Sequence, residues 1–192
     1  MIATFLDRDG VINKETTLGP DKKITVFSNA AEAVKMLNKI GKVIVVTNQP
    51  WIARGMLTEE ELEGVHREMV EKLAASGAKI DSVYYCPHHP EIHHKDVPDW
   101  ARKYRVDCSC RKPKTGMLEQ AALDFKLDLK KCFLVGDRTV DILAGRNAGC
   151  TTILVRTGEA GMDGKYEASP DYVCEDIYDA ALIISGIMKG EK

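Results

Sequence analysis

Short apolar runs alternate with amphipathic stretches along the whole chain. Five runs, Ile2–Leu6, Val43–Thr47, Ser82–Cys86, Cys132–Gly136 and Thr152–Val155, are rich in β-branched or aromatic residues, which predicts short strands buried within a sheet. Between them, apolar residues recur at helical spacing over Asn29–Ile40, Thr58–Ser76, Thr115–Phe125, Val140–Ala148 and Ile177–Met188, with a capping signature at Thr58-x-x-Glu61. This rhythm predicts an α/β fold, a doubly wound, Rossmann-like parallel sheet. One stretch departs from it. Residues 87–114 are too long and too rich in His, Pro and Cys for an ordinary connection, and are expected to be held by something other than hydrophobic burial.

Composition narrows the class. A chain of 192 residues with 44% hydrophobic positions suits a single domain over residues 1–192 with a substantial core. Lys and Arg number 27 against 29 Asp and Glu, a net charge of −2 without a long basic run, so nucleic acid is not an expected partner. No apolar run approaches the roughly 18 residues that span a bilayer, and the start of the chain lacks a signal-peptide pattern. The expectation is a cytoplasmic protein, without a membrane partner and more readily a monomer than an oligomer. In a reducing compartment its six cysteines are expected to be buried thiols or metal ligands, not disulfides.

Polar residues concentrate where strands end. The first strand runs into Asp7-Arg8-Asp9-Gly10, two acids one residue apart, at the edge where open α/β sheets bind ligands. Alone, this string also suits a calcium loop or a turn. The second strand ends in Thr47-Asn48-Gln49, groups that can hold phosphate oxygens without adding charge, though a polar strand-to-loop transition explains them as well. Cys110-Arg111-Lys112-Pro113 places two cations before a helix N-terminus, which itself favours anions. The fourth strand ends in Gly136-Asp137, and Asp141 follows in the first turn of the next helix. No P-loop signature occurs.

In order and spacing, these segments resemble the haloacid dehalogenase-like phosphohydrolases over Met1 to about Thr157. Asp7-x-Asp9 matches motif one, Thr47 motif two, Lys112 motif three and Gly136-Asp137-x-x-x-Asp141 motif four. The resemblance implies Asp7 as nucleophile, and Mg2+ held by Asp7, the Asp9 carbonyl and Asp137. Asp9 would protonate the leaving alkoxide and then activate water. Thr47 and Lys112 would bind the phosphoryl oxygens, with Asp141 orienting Lys112 or a metal-bound water.

A second metal site follows from cysteine spacing. Cys86-Pro87-His88 and Cys108-Ser109-Cys110 form C-x-H…C-x-C with nineteen residues, 89–107, between the pairs. Three sulfurs and one imidazole suit a closed, structural Zn2+ site, which makes residues 86–110 a zinc loop. His89 is the alternative to His88, while His93 and His94 are expected to be solvated. Cys132, Cys150 and Cys174 are expected to be buried thiols.

The same elements narrow the resemblance further. Asp7 to Asn13, Thr47-Asn-Gln-x-x-Ile-Ala-Arg-Gly55, Cys86-Pro-His-His-Pro90 and Cys110-Arg-Lys-Pro113 look like the D,D-heptose 1,7-bisphosphate phosphatases, zinc-containing members without a large cap domain. That implies removal of the C7 phosphate during heptose metabolism for lipopolysaccharide and related surface glycans. The implied substrate contacts are Glu15, Thr16, Thr17, Leu18, Asn48, Gln49, Pro50, Arg54, Arg111 and Arg138. Pro50-Trp51 and Lys14 to Gly19 depart from the family pattern. Histidinol-phosphate phosphatase is the alternative activity, and a non-catalytic zinc-containing binding module the alternative class.

Overall fold

The computed structural model describes residues 1–14, 23–90 and 97–190. Six parallel strands form one sheet: β1 (Ala3–Leu6), β2 (Lys42–Asn48), β3 (Ser82–Cys86), β4 (Phe133–Gly136), β5 (Thr151–Val155) and β6 (Tyr172–Cys174), in the spatial order β3-β2-β1-β4-β5-β6. The chain starts at the centre, winds outward through β2 and β3, then returns to add β4, β5 and β6 on the other side. Between β1 and β4 the winding reverses, which opens a crevice beyond their C-terminal ends.

Helices α1 (Ala30–Asn38), α2 (Glu59–Ala74), α3 (Gly116–Phe125), α4 (Thr139–Ala148) and α5 (Ile177–Lys189) cover both faces. Successive strand residues point to opposite sides. Leu6, Val43, Val45 and Val135 therefore pack with Val34 and Leu37 of α1, Met69 of α2 and Ile184 of α5. Phe5, Ile44, Val46 and Leu134 meet Met117, Leu118 and Ala121 of α3 and Ala144 of α4. Double burial is why these strands carry apolar residues at consecutive positions. Thr58 caps α2 as its sequence predicts, its hydroxyl accepting from the Glu61 amide while the Glu61 carboxylate accepts from the Thr58 amide.

Two features depart from the sequence expectations. Strand β6 was not anticipated, because three residues with Tyr172 and Val173 exposed carry no hydrophobic periodicity. It is registered by Asp171, whose carboxylate accepts from the Thr152 amide at 2.7 Å and the Thr152 hydroxyl at 2.8 Å. The long loop also uses hydrophobic burial. Tyr104, at the end of a 3-10 helix spanning Asp99–Tyr104, packs with Ile52, Ala53, Leu57 and Leu62, a contact between distant segments that local pattern does not reveal.

Candidate active site

The acids and the lysine meet in the β1/β4 crevice. Asp7 follows β1, and its amide donates to the Val135 carbonyl of β4 at 2.9 Å, so the sheet itself sets its position. Lys112 arrives from the loop before α3. Its Nζ donates to Asp7 Oδ1 and to the Val46 carbonyl, both at 2.7 Å, and forms an ion pair with Asp141 Oδ1 at 2.6 Å. Burial works against its charge, but Asp141 and Asp7 outweigh that and hold the ammonium above its ordinary pKa. The loop is pinned by Asn48, which accepts from the Lys112 amide at 3.0 Å and donates to the Lys112 carbonyl at 3.1 Å.

Asp137 is built into the same crevice without a balancing cation of comparable strength. Its Oδ2 accepts from the Glu159 amide at 2.8 Å, and Oδ1 is buried with no hydrogen-bond partner. Gly10 and Gly158, both with positive φ, lie against this carboxylate so closely that a Cβ on either would collide with it. Carboxylate oxygens of Asp7, Asp137 and Asp141 come within 4.8 Å of one another. Burial, with Lys112 offsetting it and Asp141 and Asp9 reinforcing it, raises the Asp7 pKa to about 6. Burial and the charges of Asp7 and Asp141 raise Asp137 to about 8. A crowded, buried oxygen cluster with an unpaired carboxylate oxygen fits a hard divalent cation such as Mg2+.

A pH dependence follows. Asp7 and Asp137 keep protons in the folded chain where the unfolded chain, at the ordinary value of 3.8, has released them. Folding therefore binds protons, and stability falls as pH rises from about 4 towards 8. Thermal melts in chelator are expected to show this decline, with Mg2+ restoring stability most at the alkaline end. A melting temperature that ignores Mg2+ throughout pH 5 to 8 would count against a cation site at these carboxylates.

Asp9 differs from its neighbour. Despite burial, the Arg8 guanidinium beside it and hydrogen bonds from Arg8, Asn13 and Gln49 lower its pKa to about 2. Arg8 reaches Asp9 through Nε at 3.2 Å and Nη2 at 2.7 Å. Asp9 is thus held as a carboxylate turned into protein donors, where the sequence suggested an acid aimed at substrate. Any proton transfer to a leaving group requires it to exchange these bonds.

A cleft of about 200 Å³ opens above the acids, lined also by Thr47, Asn48, Pro50, Trp51, Arg54, His89, Arg111, Arg138, Val140 and Lys165. The Arg54 guanidinium lies over the Trp51 ring, 4.9 Å from its centroid, which gives Pro50-Trp51 a structural consequence. Arg111 donates to the His88 carbonyl at 3.0 Å. Of the expected substrate contacts, Asn48, Pro50, Arg54, Arg111 and Arg138 line this cleft, whereas Gln49 does not: it is fully buried beneath it. Glu15, Thr16, Thr17 and Leu18 lie outside the described residues, as do His93 and His94.

Sequence reasoning missed Arg8 and Lys165. Lys165 is set by its neighbours: Asp163 accepts from the Thr139 amide and hydroxyl at 2.8 and 2.9 Å, and the Tyr166 amide donates back to that hydroxyl at 3.3 Å. No local signal marks such a loop residue. Arg8 was visible between the two acids, but its burial was not.

The cysteine cluster assembles next to the cleft. Sulfur separations are 3.6 Å for Cys86–Cys108 and 3.4 Å for Cys110–Cys108, while His88 Nδ1 lies 3.7 Å from Cys86 Sγ and 3.4 Å from Cys110 Sγ. A zinc tetrahedron with bonds of roughly 2.0–2.3 Å has edges of about 3.5–3.8 Å, and a disulfide would be about 2 Å. The four donors have the spacing of a metal cage. His88 turns its ring to the sulfurs, and His89 lines the cleft.

Comparison with known proteins shows the family. A family model described as HAD-hydrolase-like matches residues 109–180. The D-glycero-beta-D-manno-heptose-1,7-bisphosphate 7-phosphatase of Pasteurella multocida is 40% identical over 191 residues, covering 96% of this chain and 97% of that protein. A Chlorobaculum tepidum D-glycero-D-manno-heptose-1,7-bisphosphate 7-phosphatase is 34% identical, covering 97% and 94%. The crystal structure of D,D-heptose 1,7-bisphosphate phosphatase from B. bronchiseptica complexed with magnesium and phosphate superposes with a TM-score of 0.79 at 30% identity, covering 97% of this chain and 99% of that one. The chain belongs to the D-glycero-D-manno-heptose-1,7-bisphosphate phosphatase family of haloacid dehalogenase-like hydrolases, and it is a phosphoric monoester hydrolase.

Proposed function

We propose that this protein removes the C7 phosphate of D-glycero-D-manno-heptose 1,7-bisphosphate through an aspartyl-phosphate on Asp7. The observation that carries the mechanism is the pairing of Asp7 with Lys112 beside the unpaired Asp137 oxygen. Phosphate esters resist unassisted hydrolysis, so charge must be neutralised before a carboxylate can approach phosphorus. Asp7, the Asp9 carbonyl and Asp137 would hold Mg2+, which supplies that neutralisation. Asp7 then attacks phosphorus as the sugar oxygen leaves. Lys112 steadies Asp7 and, by exchanging one of its present partners, a phosphoryl oxygen. Asp9 exchanges its Arg8 contacts for the leaving-group oxygen while Gln49 stays on its carboxylate, which raises its proton affinity and lets it take a proton from solvent; it passes that proton to the departing oxygen and takes one back from the water that cleaves the aspartyl-phosphate. Zn2+ in the Cys86, His88, Cys108, Cys110 cage would pin the loop that carries Arg111 and Lys112.

Substrate selection is assigned to the outer cleft. Lys112 is already balanced by acids, but Arg54, Arg111 and Lys165 crowd the cleft's other residues with positive charge. That end favours a second anionic group and disfavours the cationic amine of histidinol phosphate. Phosphate release should be tested across heptose bisphosphate, histidinol phosphate and nucleotides, with Mg2+ and with chelator. Charge-assisted contacts are worth roughly 1.5–3 kcal/mol, about ten to a hundredfold in specificity. Arg54→Ala should reduce kcat/KM for the bisphosphate by about that factor while leaving nitrophenyl phosphate nearly unchanged. A wild type that prefers histidinol phosphate would refute the heptose assignment.

A further inference from the structure

Behind the cleft lies a buried polar chain that enters the mechanism above only as the resting contacts of Asp9. Arg8 is 1% exposed and among the largest fully buried side chains, with Nη1 lacking any hydrogen-bond partner. A buried guanidinium with an unpaired nitrogen is costly, so its retention calls for a reason beyond packing. Arg8 Nη2 donates to Gln49 Oε1 at 3.1 Å, and Gln49 Nε2 donates to Asp9 Oδ2 and to Thr47 Oγ1, both at 2.9 Å.

The chemistry of the end groups gives this chain one direction. A guanidinium only donates and a carboxylate only accepts. Gln49 must therefore turn its carbonyl to Arg8 and its NH2 to Asp9 and Thr47; the flipped amide would face N–H to N–H on one side and oxygen to carboxylate on the other. Thr47 then receives a hydrogen bond, and its single hydroxyl proton is left to point elsewhere. No described residue accepts that proton, and Thr47 lines the cleft beside Asp7.

We propose that Gln49, oriented by Arg8, is a positioning residue for phosphoryl transfer: it makes the Thr47 hydroxyl an obligate donor to the phosphoryl oxygen and steadies the Asp9 carboxyl, without touching substrate. This rests on the assignment of Thr47 to the phosphoryl group and of Asp9 to the leaving group. Preorganised donors of this type act because their orientation is set before charge develops. Gln49 thereby links the two ends of the reaction, and a fault in it should reach both.

The test is a double-mutant cycle. Thr47→Val is expected to lower kcat/KM for nitrophenyl phosphate by about tenfold or more and to raise the inhibition constant of inorganic phosphate in parallel. Gln49→Met, which keeps the volume but loses the amide, should reproduce much of both changes. The double variant should be no worse than Thr47→Val alone on nitrophenyl phosphate, since a nitrophenolate needs little help from Asp9. On glycerol phosphate, whose alkoxide needs protonation, Gln49→Met should lose more than Thr47→Val. Gln49→Glu, the same size as the native residue, controls for folding: it turns an acceptor to Thr47 and draws the hydroxyl proton inward, so it should impair phosphate binding with a folded circular dichroism spectrum. Losses that multiply in the double variant, or a Gln49→Met enzyme within twofold of wild type while Thr47→Val is impaired, would overturn the proposal alone. A Thr47→Val enzyme with normal phosphate affinity would overturn the Thr47 assignment and this inference together.

Discussion

Asp7→Asn is expected to lower kcat on the order of 10⁴-fold or more, the scale seen when a covalent nucleophile is removed, without loss of fold. The geometry separates these outcomes. An asparagine oxygen can keep the 2.7 Å contact now made between Lys112 Nζ and Asp7 Oδ1, so the lysine stays tethered. At the same time the substitution deletes one acid from a buried cluster in which Asp141 raises the pKa of Asp7, and Asp7 and Asp141 raise that of Asp137. The variant should melt no lower than the wild type at neutral pH in chelator, and its stabilisation by Mg2+ should shrink. Steady-state phosphate release and thermal melts check both halves. Residual turnover within about a hundredfold of wild type would rule out Asp7 as the attacking group.

Loss of the cysteine cage is expected to have the largest effect on stability. The purified protein should carry one Zn2+ per chain, and Cys110→Ser or Cys108→Ser should release it. Structural zinc contributes folding free energy directly. A loss of roughly 3–5 kcal/mol, comparable to removing a native crosslink, corresponds to about 10–15 °C in melting temperature for a chain of this size. Activity should fall as well, because Cys110 precedes Arg111 and Lys112, and Arg111 is bonded to the His88 carbonyl. Cys174→Ser is the control, since Cys174 lies outside the cage and should change neither metal content nor melting temperature by a comparable amount. Metal analysis finding no zinc in protein purified without chelators would defeat the site.

Much of the architecture was legible because double burial forces apolar residues into consecutive positions. Phe5-Leu6, Val43 to Val46 and Leu134-Val135 serve opposite faces of the sheet, and five strands and five helices fell close to their expected places. Strand β6 escaped because its three residues are held by pairing with β5 and by Asp171, not by a hydrophobic pattern. Tyr104 escaped for a related reason: its partners Ile52 and Leu62 belong to a different segment.

In the site, the sequence alone determined the chemical inventory: acids after β1 and β4, a hydroxyl at the end of β2, a lysine before α3, and three thiols with an imidazole at metal-ligand spacing. These are covalent facts, and strand ends are where doubly wound sheets gather such groups. Only the tertiary structure decided how they are wired. Lys112 and Asp7 stand 105 positions apart, and Gln49 and Arg8 stand 41 apart, so their bonds depend on strand order and loop path. Folding alone turned His88 to the sulfurs and His89 to the cleft, although adjacent residues carry the same side chain. It also buried Asp7 among other acids and set Asp9 against a buried arginine, so two carboxyls of identical intrinsic chemistry differ in proton affinity, at about 6 and about 2. The physical reason is that proton affinity and hydrogen-bond direction are set by desolvation and by through-space neighbours, neither of which is encoded in local spacing.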